Sequence, residues 1–112
     1  MNTISYADFL KVEIRIGTIV EAQEFPEARK AALKLFIDFG PEFGIKQSSS
    51  QITQFYSKES LVGKQVLAVV NFPEKQVGPF MSQVLTLGLH DIEGHVVLVS
   101  PDFPVPNGEK LL

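Results

Sequence analysis

The sequence predicts a small all-β barrel in a single domain spanning residues 1–112. Three observations lead to this fold class. The chain has 112 residues, its apolar residues recur in short runs with a period of two, and glycines and prolines separate those runs. A chain of this length has room for one hydrophobic core. Only two short stretches, 27–31 and 58–62, have helical character, so we expect a predominantly β fold.

The first strand is predicted near the N-terminus. Within Val12–Ile16 the apolar residues alternate with Glu13 and Arg15, which places the two charged side chains together on the opposite face. Gly17 follows, at a point where a strand can bulge or bend, and the apolar content resumes at 19–20. The pattern therefore predicts one strand in which Gly17 is the position that can bulge or bend.

The middle of the chain continues the pattern. Residues 33–39 alternate again and predict a second strand, and residues 40–44 contain two glycines and a proline, as is typical of a turn. Residues 45–52 form a weaker, polar strand. A short helix is expected next, with Ser57 as its N-cap and Gly63 just beyond its end.

The C-terminal half supplies the remaining strands. Residues 65–70 are almost continuously apolar, as expected for a central strand, whereas the two prolines of the loop 71–79 argue against regular pairing there. Residues 84–89 and 95–100 predict two more strands, and the tail from 101 is extended and turn-rich. Five or six short strands around one small helix favour a five-stranded OB-fold barrel, with an SH3-like barrel as the competitor.

The composition excludes several classes of protein. Ten basic residues against 13 acidic ones give a formal net charge of −3, which argues against coating nucleic acid by charge alone. Because the chain has no cysteine, it has no disulfide, thiolate metal site or cysteine nucleophile. The apolar runs are far shorter than the roughly 18 residues of a membrane span, and no secretory signal is evident. We expect a cytoplasmic protein without membrane insertion.

No arrangement of residues points to catalysis. His90 and His95 flank one predicted turn, but two histidines without a cysteine or a second histidine pair make a poor metal site. The serines at 48–50 have no base predicted beside them and are expected to be polar strand residues. Nucleotide-binding and hydrolase motifs are absent. We therefore expect neither an enzyme nor a cofactor.

The segment 71–83 is the most informative one for function. It holds Phe72, Phe80 and Met81 among prolines and glycines, with Lys75 as its one cation. Large apolar side chains on a loop stiffened by proline can present an apolar patch at low ordering cost. Two interpretations stay open: the two phenylalanines cover an open end of the barrel, or they bind a partner, an RNA base or a second subunit.

Motifs spread along the chain resemble a known family. Val12–Ile19, Pro26–Ala28, Leu61–Val66, Asn71 and the pair Ser82-Gln83 follow one another as in the EMAP-like tRNA-binding domain. That domain is an OB-fold module of some aminoacyl-tRNA synthetases and of free-standing dimers. The resemblance implies an OB-fold and a ligand groove on the barrel.

One branch of that family, the CsaA proteins, resembles the chain more closely. The segments that carry this resemblance are Phe25–Lys30, Ile37–Glu42, Asn71–Pro73, Val77–Phe80 and Pro104–Lys110. CsaA proteins are small bacterial chaperones related to secretion. The resemblance therefore implies a homodimer that binds precursor or unfolded polypeptides, with residues 1–11 and 101–112 forming the subunit interface.

The same resemblance implies that Arg15, Asn71, Ser82 and Gln83 form the polar framework of a peptide or RNA groove. The loop itself adds Phe72, Phe80 and Met81 for hydrophobic side chains and Lys75 for carbonyl or acidic groups of a peptide. In tRNA-binding members, lysines and arginines flank the positions equivalent to 77–81, whereas Lys75 is the only cation here. Residues 39–90 contain four basic and three acidic side chains, so this face is expected to be nearly neutral. Each phosphate contact that is missing weakens RNA binding. The leading hypothesis is an export-related, ATP-independent chaperone, and the alternative is an accessory module that binds tRNA.

Overall fold

The strands of the computed structural model, which describes residues 1–112, form a nearly closed antiparallel barrel. Five strands make one sheet in the order β3-β2-β1-β4-β7, and two further hairpins pair β5 with β6 and β8 with β9. The strands are β1 (Ile14–Glu24), β2 (Leu33–Asp38), β3 (Ile45–Ser50), β4 (Gln65–Val69), β5 (Lys75–Val77), β6 (Phe80–Ser82), β7 (Leu85–Thr86), β8 (Gly88–His90) and β9 (Val96–Leu98). The helices are α1 (Tyr6–Leu10) and α2 (Lys58–Leu61). This architecture confirms the predicted all-β fold of OB type.

Strand β1 is long enough to belong to two pairings. Its first half pairs with β4 and its second half with β2, and the register shifts between Ile19 and Glu21. At Gly17 the pairing with β4 is regular, and the irregularity in the pairing with β2 comes after Ile19. Gly17 is required for packing instead: a Cβ there would lie 2.5 Å from Ile37 Cγ2 and 2.8 Å from the Phe39 ring.

The barrel interior is filled by side chains from alternate positions of the strands. Leu35, Ile37 and Phe39, which follow one another at a spacing of two, are fully buried. The principal core cluster contains eleven buried residues: Ile19, Leu33, Leu35, Ile37, Phe39, Ile52, Leu61, Val66, Ala68, Val84 and Leu98. The periodicity of the sequence therefore identified the inward-facing positions of β2 correctly.

The segment 71–79 departs from the prediction. Residues 75–77 pair with β6 to form a short hairpin, although the prolines of this segment argued against pairing. Pro73 and Pro79 lie on either side of the three paired residues, so neither removes a donor from the hairpin. Gly78 adopts a φ of +58° and allows the tight turn between the two strands.

Two other boundaries differ from the prediction. The single strand expected over 84–89 is divided into β7 and β8, and residues 27–31 form turns and bends rather than a helix. The predicted helix after Ser57 is confirmed, with the Ser57 side chain accepting a hydrogen bond from Ser60 N. Helix α1 was not predicted. Its signal was a capping box between Ser5 and Asp8. Neither helix has the length or the apolar character to cross a bilayer.

The C-terminal tail runs antiparallel beside the beginning of β1. Ile16 N donates to Glu109 O at 3.0 Å, Gly108 N donates to Ile16 O at 2.8 Å and Leu111 N donates to Ile14 O at 2.9 Å. Strand β2 starts to pair with β1 only at Thr18, so the tail occupies the edge of β1 that precedes β2. The segment that the resemblance assigned to dimerisation is thus hydrogen-bonded to its own barrel along 108–111.

Candidate functional site

A groove of about 850 Å³ opens between two loops of the barrel. One wall is the loop from β1 to β2, and the other is the β5–β6 hairpin with the segment that leads into it. Ser49 and Gln51, at the end of β3, lie between the two walls. In OB-folds, the corresponding two loops and the face of the second and third strands are the usual place for ligands. The concavity is therefore the candidate binding site.

The rim of the groove is cationic. Arg29 and Lys30 line one wall and Lys75 lines the other, and Glu27 is the only acidic side chain in the lining. The five ion pairs of the structure involve none of these three cations. Their charges are thus unneutralised in a cleft, where fields of one sign are focused.

Arg29 and Lys30 were missed by the sequence reasoning. The estimate of a nearly neutral face counted residues 39–90, and that window omits the loop from β1 to β2. A signal was available, since the two basic residues are adjacent in the first long loop of a predicted OB barrel.

The apolar part of the groove comes from both walls. Ala28 and Ala32 contribute from the first loop, Phe72 and Val77 from the second, and Val84 from the segment before β7. The Phe72 side chain is 51% exposed. The groove therefore offers an apolar surface with one half-exposed aromatic ring.

Phe80 is the first residue of β6, and its side chain does not line the groove. It is only 8% exposed, and its ring centroid is 5.5 Å from that of Phe25 and 6.3 Å from that of Phe36. The Lys34 ammonium stands over both the Phe25 and the Phe80 ring, at 4.8 and 5.4 Å from their centroids. The two phenylalanines that the sequence treated alike are therefore separated: Phe80 is packed and Phe72 is accessible.

Ser82 and Gln83 line the groove and also close the barrel. Ser82 Oγ accepts a hydrogen bond from Ser49 N at 3.1 Å, and Gln83 Oε1 accepts one from Gln47 N at 3.0 Å. Gln47 Nε2 donates to Met81 O at 2.8 Å. These contacts satisfy donors along the edge of β3, which has no neighbouring strand there. Met81 itself does not line the groove.

Arg15 and Asn71 lie outside the groove. The Asn71 side chain donates to Lys11 O at 2.8 Å and accepts from Glu13 N at 2.9 Å. Arg15 donates to Glu13 Oε1 at 2.7 Å and to Gly108 O at 3.0 Å. Both side chains fasten a terminal segment to the barrel and are not brought together with the loop residues.

Glu13 is the centre of a cluster that we call the terminal clamp, formed by Lys11, Glu13, Arg15, Asn71 and Lys110. Besides the contact with Arg15, the Glu13 carboxylate accepts from Lys110 Nζ at 3.0 Å. Hydrogen bonds from Arg15, and next from Lys110, lower the pKa of Glu13 below its ordinary value. The Arg15 guanidinium also lies 4.8 Å from the ring centroid of Phe43.

The fold and the groove define a ligand-binding domain of OB type. Residues 14–110 match the family model described as "Putative tRNA binding domain". The chain therefore belongs to the tRNA-binding domain family, which is defined by a binding module rather than a catalytic one.

Within this family the chain is similar along its whole length to two CsaA structures. The chaperone CsaA from Bacillus anthracis str. Ames is 50% identical with a TM-score of 0.92, and the alignment covers 99% of this chain and 100% of that one. The CsaA chaperone protein from Picrophilus torridus is 48% identical with a TM-score of 0.91, covering 98% and 100%. These similarities confirm the resemblance that the sequence motifs indicated.

Longer relatives contain the same domain. The methionine–tRNA ligase of Chlorobium limicola is 37% identical over 108 residues, which is 96% of this chain and 15% of the ligase. The chain spans about 15% of the length of the curated relatives that it matches. The homology with these ligases is thus confined to one domain.

Proposed function

We propose that this protein is a cytoplasmic molecular chaperone, related to export, that binds unfolded or precursor polypeptides without ATP. The observation that supports this most strongly is similarity at about half identity, over the full length, to two chaperones named CsaA. The groove adds physical support, because it combines apolar lining with the half-exposed ring of Phe72.

The proposed mechanism is holding rather than unfolding. An extended client segment places an apolar side chain against Phe72 and the alanines of the first loop. Burial of that surface contributes about 25 cal/mol per Å² before the ordering costs are subtracted. Neither binding nor release needs nucleotide hydrolysis in this scheme.

Four of the eight sequence-predicted site residues line the groove, and we propose that they contact the client: Phe72, Lys75, Ser82 and Gln83. For Arg15, Asn71 and Phe80 we propose a supporting role, since each is engaged by other parts of the chain. For Met81 we propose no contact with the client, because it lies in β6 outside the lining of the groove.

A binding assay with a matched control tests the polypeptide proposal. Phe72→Ala is expected to weaken binding of a fluorescent, permanently unfolded polypeptide at least fivefold. Phe55→Ala is the control, because Phe55 is 52% exposed and lies outside the groove. Added ATP is expected to leave both affinities unchanged. No measurable polypeptide binding by the native chain would overturn the proposal, as would equal losses in the two variants.

We also propose that the protein is a homodimer. Apolar side chains are exposed on both terminal segments, among them Ile4, Tyr6 and Phe103, each more than 70% exposed. Burying such side chains between two copies is favourable. Sedimentation velocity is expected to give twice the chain mass, and Phe103→Asp is expected to shift the protein toward monomer whereas Phe55→Asp does not. A native chain that sediments as a monomer at micromolar concentration would refute the dimer.

Binding of tRNA is the second candidate function, and the cationic rim favours it. Three unpaired cations could each contact a phosphate, in a domain whose family model is named for tRNA binding. Three such contacts give a logarithmic salt slope of about −2 to −3. Titration with labelled tRNA at two salt concentrations measures that slope. Tight, salt-sensitive tRNA binding without polypeptide binding would replace the chaperone proposal by this one.

A further inference from the structure

The charge of the groove is opposite to the charge of the molecule. Three basic residues and one acidic residue line it, so the remainder of the chain holds seven basic and twelve acidic residues. The net charge of the whole chain therefore does not show that the groove carries an excess of positive charge. A ligand that enters the groove meets a field of the sign opposite to that of the rest of the surface.

The three groove cations form no ion pair within the chain, as is also true of Lys34, Lys46, Lys58 and Lys64 elsewhere in the molecule. Lys11, Arg15 and Lys110 each form an ion pair with a carboxylate, whereas Arg29, Lys30 and Lys75 form none. The one acidic side chain close to the second wall, Glu74, accepts a hydrogen bond from Gln83 Nε2 at 3.1 Å. No carboxylate of the chain forms an ion pair with the three cations, although Glu27 lines the same groove.

The cations lie on both sides of the apolar lining, and this placement indicates which side chains of a ligand the groove recognises. Arg29 and Lys30 are on one wall and Lys75 on the other, while Phe72 and Ala32 supply apolar surface in the same concavity. A polypeptide that crosses the groove would present an apolar side chain to this surface and neighbouring side chains to both walls. Carboxylates on both sides of that apolar side chain would then lie near the cations of the two walls.

We propose that the groove selects acidic client segments, in which an apolar residue is flanked by aspartate or glutamate, and that Arg29 and Lys30 determine this specificity. The inference rests on the proposed polypeptide-binding function and names its substrate class. Each exposed charge pair contributes modestly, and a lysine in place of the carboxylate is repelled. Selection therefore comes from the difference between acidic and basic segments rather than from tight binding of either.

Polypeptide fits the lining better than RNA does. Proteins that bind single-stranded nucleic acid combine a basic track with several aromatic rings for base stacking. The groove has a single exposed ring, Phe72, and its other apolar lining consists of smaller side chains such as Ala28 and Val84. The cations are therefore better matched to a few carboxylates around an apolar residue.

Three peptides with one shared apolar core test the inference on the full chain. Flanking residues are aspartate in the first, serine in the second and lysine in the third. Fluorescence anisotropy is expected to show the aspartate peptide binding at least fivefold more tightly than the lysine peptide, with a smaller ratio at high salt. Lys30→Glu is expected to reduce or reverse this ratio. Lys58→Glu, an exposed lysine outside the groove, is the control and is expected to preserve it.

Each outcome decides a different statement. Equal affinity of the three peptides, or an equal effect of Lys30→Glu and Lys58→Glu, would overturn the acidic selectivity and leave polypeptide binding standing. Failure of all three peptides to bind would instead refute the proposed function itself. An RNA oligonucleotide that binds more tightly than every peptide, and loses that affinity in Lys30→Glu, would reassign the cations to nucleic acid. Unchanged thermal unfolding verifies that both variants are folded.

Discussion

The groove and the terminal clamp use similar side chains for opposite purposes. In the clamp, Glu13 forms ion pairs with Arg15 and Lys110, and the guanidinium lies beside an aromatic ring. In the groove, the three cations have no carboxylate partner and border an apolar concavity. The two sets of cations therefore differ in their surroundings: those of the clamp are paired within the chain, whereas those of the groove are unpaired beside an apolar surface.

Local geometry explains the difference. Glu13 and Arg15 are two positions apart at the start of β1, so their side chains leave the same face and can pair at once. The groove cations lie on loops, and the neighbouring acid Glu27 forms no ion pair with them. Substitutions in the two regions should therefore have different consequences.

The largest expected effect is that of Phe80→Ala, which removes a buried ring. Loss of a buried phenylalanine costs about 3 to 5 kcal/mol, and Phe80 packs against Phe25 and Phe36. Urea unfolding measures the change. Phe72→Ala provides the contrast, with an expected loss below about 1 kcal/mol because that ring is half exposed. A stable Phe80→Ala protein that has lost only polypeptide binding would place Phe80 in the site after all.

A smaller loss is expected when the tail is forced away from the barrel. Gly108 has a φ of +94°, and a Cβ there would lie 2.6 Å from Phe39 O. Gly108→Ala therefore combines backbone strain with a clash and should cost about 2 to 3 kcal/mol. Gly94→Ala is the matched control: its φ is +85° but no atom lies within 4 Å of the added Cβ, so only the strain remains. Equal losses of stability in the two variants would mean that the tail moves away from the added Cβ without a loss of free energy.

The smallest expected effect concerns the charge of Glu13 and appears as a dependence on pH. Because hydrogen bonds from Arg15 and Lys110 lower the pKa of Glu13, folding favours its ionised form. The ionised carboxylate contributes fully to folding stability above the pKa of an unfolded glutamate, about 4.3. This contribution is lost as the pH falls through the lowered pKa of Glu13 in the folded state. The Glu13→Gln variant should thus be less stable than the native chain at pH 7. The difference in stability between the two proteins should disappear at acidic pH.

Thermal unfolding between pH 2 and pH 7 checks this. Glu59→Gln is the control, since Glu59 has no ion-pair partner, and it should show no such convergence. A gap for Glu13→Gln that stays constant over the whole pH range would contradict a stabilising role of the carboxylate charge.

The local sequence pattern correctly predicted those elements whose formation depends on residues close together in the chain. Alternation identified β2, and the Ser57 cap identified α2. The β5–β6 hairpin was missed because the weight given to proline ignored where Pro73 and Pro79 lie relative to the paired residues. Arg29 and Lys30 were missed because they are far in sequence from the loop they face.

Alternation, turn residues and motifs are local features, and they were enough to predict the all-β barrel, the inward-facing positions of β2 and the family. They did not predict that Arg15 and Asn71 belong to the clamp while Phe72 and Lys75 line the groove. The physical reason is the separation of the partners along the chain: Arg15 meets Gly108 across 93 positions, and Asn71 meets Glu13 across 58. Periodicity reports which face a residue occupies. Which distant segment covers that face depends on how the barrel closes.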